Sequence, residues 1–243
     1  RPQDNLNLVG VNITDSATSK AGLAAGLYSN FMNAEPSLNG LSYTRRGHEA
    51  GLAVSYPLAE RLILGVTNKY YYLDTTTGAV SLAGARARGW TMDIGSVLRA
   101  TESVSLAVVG QNLVDMKSWE VPPTLGLGVA LSLSQALVFD FDAVIRWLEY
   151  PARATKAAAG YHVGGEYFLG QRFPLRLGYS YDYTYRTLSA ATDPAVALNA
   201  DSFFHAGLGY VTPQFGLEVG YRQQVSGDGR ESLFSFALKL FVQ

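Results

Sequence analysis

Two aspartates, Asp140 and Asp142, stand two residues apart in the run Leu137-Val138-Phe139-Asp140-Phe141-Asp142. In an extended chain alternate side chains share a face, so both carboxylates point the same way. Such a pair could bind a cation, or hold one carboxyl protonated for acid–base work. The simpler expectation is neutralisation by Arg146 or by arginines of neighbouring strands, because an unpaired charge in a confined space is costly. His162 and His205 are expected on the same face, and with a serine and an aspartate they could build a hydrolase. No Gly-x-Ser-x-Gly segment fixes a nucleophile, however, so no enzyme is expected. His48 reads as a solvated loop-tip residue. No spacing of His, Asp and Glu suggests a metal site, and no cofactor is expected.

The elements that must position these groups are strands. From Phe215 the sequence alternates Phe215, Leu217, Val219 and Tyr221 with Gly216, Glu218, Gly220 and Arg222. After a polar turn the pattern resumes as Phe234, Phe236, Leu238 and Leu240 against Ser235, Ala237 and Lys239. Period-two alternation marks a strand with one apolar and one polar face. Here the apolar face carries only large residues, while the other mixes glycine, alanine and full charges. That is the pattern of a membrane barrel, which shows its large residues to lipid and encloses its charges.

Fourteen alternating segments are expected: 6–14, 21–31, 40–46, 50–56, 62–72, 89–99, 104–113, 124–133, 137–147, 161–169, 175–183, 203–211, 215–224 and 233–242. Most approach the roughly 9–11 residues that a tilted strand needs to cross a bilayer. Short connections (57–60, 100–102, 134–135, 170–172 and 212–213) alternate with longer ones (74–87, 115–122, 148–160, 184–201 and 224–231). Short turns are periplasmic and long loops external in outer-membrane barrels. An even strand count then puts both termini in the periplasm. Only the first four segments fit poorly, with a long inner turn at 32–39 and a short outer one at 47–49. The expected fold is all-β: one domain over residues 1–243, a transmembrane antiparallel up-and-down barrel of about 14 strands.

The inward face collects Lys69, Arg99, Arg146, Arg176, Arg222 and Lys239, against Asp93, Asp140, Asp142, Glu166, Asp182 and Glu218. This balance suits an enclosed network of ion pairs. Inward glycines such as Gly126, Gly128, Gly164, Gly178, Gly207 and Gly209 could open a lumen or make room for bulky neighbours that fill it. Aromatic residues gather at the segment ends. Tyr70, Tyr72, Trp90, Trp147, Tyr161, Tyr181, Tyr183, Phe204 and Tyr221 form an expected outer girdle, and Tyr56, Tyr167, Phe173, Tyr210 and Phe215 an inner one. A soluble β-sandwich would have to hide these ends without a pattern.

Composition agrees. The 243 residues include 25 glycines, 15 tyrosines and no cysteine, with 16% charged residues and a net charge of −1. Disulfide scaffolds and thiolate metal sites are excluded, and no basic run recommends a nucleic-acid partner. No apolar stretch reaches the ~18–20 residues of a membrane helix. The polar opening Arg1-Pro2-Gln3-Asp4 shows no signal-peptide core, as expected of a mature or trimmed chain.

Several stretches resemble the FadL-like fatty-acid transporter superfamily and the related PorV-type barrels. They are Leu64-Gly65-Val66-Thr67-Asn68-Lys69-Tyr70, Val108-Val109-Gly110-Gln111-Asn112-Leu113, Tyr161-His162-Val163-Gly164-Gly165-Glu166-Tyr167 and Leu175-Arg176-Leu177-Gly178-Tyr179. The resemblance covers about residues 50–115 and 158–241 and implies a fourteen-stranded outer-membrane barrel. It implies either passage of hydrophobic molecules through a plugged barrel or service as a subunit of surface-export machinery. No Asn-Pro-Ala-Gly segment and no plug before the first strand are seen, and the outer loops lack an apolar helical pattern. The last residues, Leu238 to Gln243, resemble a barrel-assembly signal without the final aromatic.

The first expectation for function is therefore a non-enzymatic barrel that anchors, or is a subunit of, a larger envelope assembly of secretion, attachment or motility type. The alternative is a FadL-like passive transporter of small hydrophobic molecules, and the third reading is an outer-membrane hydrolase. Expected partners are outer-membrane lipid and lipopolysaccharide, proteins of an envelope complex, and a small hydrophobic cargo.

Overall fold

The structure, a computed structural model, describes residues 5–15, 22–35, 37–38, 41–42, 44–77, 80–81, 86–118, 121–150, 153–190, 193–226 and 232–241. Among these residues thirteen long strands follow one another: β1 (Asn5–Asp15), β2 (Ala24–Glu35), β5 (Thr44–Ala59), β6 (Leu62–Thr77), β8 (Ala87–Arg99), β9 (Val104–Gln111) and β10 (Thr124–Ser132). The rest are β11 (Leu137–Tyr150), β12 (Arg153–Leu169), β13 (Phe173–Ala190), β14 (Asp193–Val211), β15 (Phe215–Ser226) and β16 (Ser232–Leu240). Three two-residue strands accompany them. β3 (Ser37–Leu38) pairs β4 (Leu41–Ser42), and β7 (Val80–Ser81) extends β6.

Each long strand pairs antiparallel with the next in one continuous sheet. This up-and-down meander follows from short connections, which can only join antiparallel neighbours. No helix occurs among the described residues. The register keeps every apolar row on one face. Phe141 opposes Val129 and Val163, Val163 opposes Tyr179, and Tyr179 opposes Phe204. These large side chains are exposed: Phe141 is 49% accessible and Val163 49%. A row of half-exposed large apolar residues around a sheet is a lipid-facing surface, since water would penalise it at every strand.

Two boundaries differ from the sequence expectation. Segments 40–46 and 50–56 are not separate strands. β5 runs unbroken from Thr44 to Ala59 and pairs with β2 along Ala34↔Arg45 to Ala24↔Ser55. The expected turn 47–49 lies inside this strand, where Met32 packs against Gly47 and Tyr28 crosses over Gly51. The merger moves the 36–43 connection to the long-loop end and puts the 16–23 connection at the short-turn end. It also makes the count thirteen, with β7 as the fourteenth member of the sheet. An odd number of crossings separates the ends. Asn5 opposes Glu35 at the long-loop end, while Leu240 opposes Phe215 at the short-turn end. Among the described residues, Asn5 and Leu240 thus lie at opposite ends of the sheet.

The second difference is at the tall hairpins. Connections expected at 148–160 and 184–201 are largely strand: β13 and β14 pair from Leu175↔Leu208 out to Ala190↔Asp193. At 18 and 19 residues they exceed the span of a bilayer crossing. The connection 227–231 lies outside the described residues.

Candidate functional site

The inner face carries the chemistry, in two zones. The first lies under the Asn112–Pro123 connection, between β9 and β10. Asn112 takes a left-handed backbone (φ 53°), a conformation Asn tolerates better than most residues. Its backbone N–H donates to Asp93 Oδ1 at 2.9 Å, its side-chain amide donates to the Pro122 carbonyl at 3.0 Å, and its side-chain oxygen accepts from Lys69 Nζ at 2.9 Å. Lys69 also meets Asp93 at 2.7 Å and sits 5.3 Å from the Tyr71 ring. Its side chain is 6% accessible. Further along, Val114 accepts from and donates to the Thr91 hydroxyl at 3.1 and 3.2 Å. The connection then folds over the inner face, and Val121 packs with Leu73 and Ala87 beside Met32, Tyr71 and Met116.

The segment 115–122, expected as a plain outer loop, is thus an inward cap. The apolar residues Val114, Met116 and Val121 between polar neighbours were the available signal. Outside the membrane span, Asp115 turns back on Lys117, 2.6 Å from its ammonium and 2.8 Å from its backbone N–H. Partial burial alone would raise the Asp115 pKa, but Lys117 outweighs it and holds the carboxyl below the usual range.

The second zone runs along β11–β16, where ion pairs reach across glycines. Arg146 on β11 meets Asp182 on β13 at 2.9 Å. On the strand between them, a side chain at Gly160 would strike Asp182. Arg176 on β13 meets Glu166 at 2.5 Å and Glu218 of β15 at 3.3 Å, crossing β14 beside Gly207. Lys239 of β16 completes the row at 2.8 Å from Glu218. Arg222 lies over the Phe203 ring at 4.7 Å, Gln224 donates to Asp201 at 2.8 Å, and Arg99 is exposed at the short-turn end.

Asp140 and Asp142 depart from their expected neutralisation. Arg146 turns to Asp182 instead, and among the described residues no cation comes within ion-pair distance of either aspartate. Each lies over a glycine of the adjoining strand, Asp142 over Gly128 and Asp140 over Gly164. The inward glycines here seat carboxylates, a pairing that the list of charges alone does not reveal.

The histidines divide the parts of a catalytic relay. His162 Nε2 lies 3.0 Å from Asp182 Oδ2, whereas His205 Nε2 lies 2.9 Å from the Ser180 hydroxyl. Serine and carboxylate are held by different imidazoles, so among the described residues no single Ser–His–carboxylate chain forms. His48 is not at a loop tip. It lies within β5 on the outer face, stacked on Phe31 at 4.4 Å and 3.0 Å from the Ser29 hydroxyl.

On the outer face, Tyr70 and Trp90 meet edge-on at 5.3 Å, with Tyr72 on the same row. Tyr161 stacks near Phe141, and Tyr221 near Phe234. Tyr210 lies between Phe173 and Phe215, at 5.0 and 5.9 Å, beside the short turns. Tyr56 and Tyr167 are exposed toward that end, while Trp147 and Phe204 are exposed higher up. Tyr181 opposes Tyr161 across β12 and β13. Tyr183 lies in β13, with its side chain outside the described residues. Among these rows is an open apolar groove of about 360 Å³, walled by Leu175, Leu177, Leu208, Val219, Tyr221 and Phe234 over a floor at Ala206.

Comparison with known proteins places the fold. A CymD monoaromatic hydrocarbon channel aligns over 98% of this chain and 88% of its own, with a TM-score of 0.62 at 10% identity. The Pseudomonas putida toluene transporter TodX aligns over 97% and 86%, at 0.56 and 14%. A Pseudomonas aeruginosa FadL homologue aligns over 90% and 69%, at 0.58 and 13%. No family model and no curated protein matches the chain. The chain therefore shares the fold of these outer-membrane β-barrels, of which one is a hydrocarbon channel and one a toluene transporter.

Proposed function

We propose that the chain is a passive conduit for small hydrophobic molecules in a bacterial outer membrane, in place of the anchor expected first from the sequence. The observation that carries this reading is the likeness, over nearly the whole chain, to a monoaromatic hydrocarbon channel and a toluene transporter. The lipid-face groove adds a physical reason. It is apolar and open toward lipid, a surface on which a small hydrophobic molecule can rest. Ala206, set between rows of large outward residues, leaves the floor of the groove open.

The test is uptake of labelled toluene by cells bearing or lacking the barrel, with Ala206→Trp as the groove-filling variant. Uptake should rise with the wild-type barrel and fall toward background with the variant. Equal uptake in all three strains contradicts the reading.

A further inference from the structure

On the lipid-facing side of β5, β6 and β8 the wall turns from apolar to basic just beyond the outer aromatic row. Register fixes the order. Val54, Val66 and Ile94 stand side by side within the span and are exposed. Four residues further out on each strand come Ala50, Tyr70 and Trp90, and the next outward row is His48, Tyr72 and Arg88. One row beyond, Arg46 opposes Asp74. Arg46 and Arg88 are exposed, as is Arg86, one residue before β8. Ala87 is buried under the cap with Leu73 and Val121, so alternation turns its neighbours Arg86 and Arg88 outward.

The other wall differs at the same level. Beyond Tyr161, the described outward residues of β12 are Ala159 and Ala157; beyond Tyr221, those of β15 are Gln223 and Val225. The basic rows are thus a local feature and not a property of the whole rim. Two acids stand near them: Asp74, between the levels of Arg46 and Arg86, and Glu35, one position further out on β2. The arginines outnumber them. One strand separates β5 from β8, so the backbones at Arg46 and Arg86 stand about 10 Å apart, close enough for long side chains to converge on one group.

Aromatic rows settle where acyl chains meet headgroups, which puts the arginines among the headgroups. With the long connections outside, those headgroups belong to the outer leaflet. The planar fork of arginine pairs with two phosphate oxygens at once, and the apolar rows below it suit acyl chains. We propose that this face of β5, β6 and β8 binds a phosphorylated outer-leaflet lipid of the lipopolysaccharide class. Its phosphate rests on Arg46, Arg86 and Arg88, and its acyl chains run along Tyr70, Trp90 and Ile94. A free anion would gain nothing from the apolar rows. The site does not rest on the conduit reading, which is measured by uptake.

The experiment titrates the purified barrel in detergent micelles with fluorescent diphosphoryl lipid A, and with the same lipid stripped of its phosphates. The phosphorylated lipid should bind at least about tenfold more tightly, the worth of one charge-assisted contact. The Arg46→Gln, Arg86→Gln, Arg88→Gln triple variant should lose that preference. The Arg61→Gln, Arg172→Gln double variant, altered at exposed arginines of the short-turn end, should keep it. Equal affinity of the wild type for the two lipids overturns the proposal without recourse to any variant. So does a triple variant, folded by its heat-modifiable gel mobility, that keeps the preference, or a double variant that loses it. Displacement of the phosphorylated lipid by an equal concentration of inorganic phosphate would mark a site for free anions and overturns the proposal too.

Discussion

The two zones of the inner face solve the same problem differently. Under the Asn112–Pro123 cap, one buried cation is surrounded on all sides: Lys69 is held by Asp93, Asn112 and the Tyr71 ring. Along β11–β16 the charges are half-exposed and spread into rows, with Arg146–Asp182 and Glu166–Arg176–Glu218–Lys239 reaching over glycines. Burial makes the first arrangement intolerant of losing a member, because the remaining charge is stranded. Exposure makes the second cheap to alter, since partly solvated pairs contribute little each. The cap is thus a fixed piece of the wall, and the β11–β16 face is the adaptable one.

The sharpest way to break this contrast is Lys69→Met. It strands the Asp93 carboxylate and releases Asn112, and should cost about 3–5 kcal/mol. The loss is read from urea unfolding in vesicles, together with new protease cleavage within 112–123. A smaller effect is expected from Gly160→Ala. The new methyl would meet Asp182 and the Tyr181 backbone carbonyl at 3.1 Å, displacing the carboxylate from Arg146 and His162. Overpacking of this kind costs about 1–3 kcal/mol, measurable in the same unfolding assay.

Asp140→Asn should change stability by no more than about 0.5 kcal/mol, and toward greater stability. It removes one of two like charges that lack a cation; a large loss would mean that the aspartate is paired after all. The least effect belongs to Asp115. Its pKa is depressed in the folded protein, so its contribution is present above the ordinary aspartate value of about 3.9. That contribution is lost as pH falls through the lower folded value. Acid should therefore loosen the tip of the cap slightly in the wild type, and Asp115→Asn should abolish this pH dependence in hydrogen exchange at Lys117.

Much of the fold was legible because lipid imposes a strict rule on every strand. The rows Leu125, Leu127, Val129 and Leu131, and Leu175, Leu177 and Tyr179, state their own face whatever their neighbours. The join at β5 was not legible, since Gly47 resembles a turn unless one knows that Met32 and Leu73 lie against it. The inward set of charges was readable by the same parity, but its pairings were not. Arg146 chooses Asp182 over the nearer-in-sequence Asp142 because register brings Gly160 between them, and register between strands is not written in either strand alone. The cap was hidden for a related reason: its partners Lys69, Thr91 and Asp93 lie on β6 and β8, well before it in the chain.

The most direct test of the central claim is permeation of toluene across an asymmetric bilayer with one lipopolysaccharide leaflet, with and without the pure folded barrel. A conduit for small hydrophobic molecules predicts flux that rises with barrel density, saturates with toluene concentration and falls with Ala206→Trp. Flux equal to that of the protein-free bilayer, from a barrel shown to be folded by its heat-modifiable gel mobility, would contradict it.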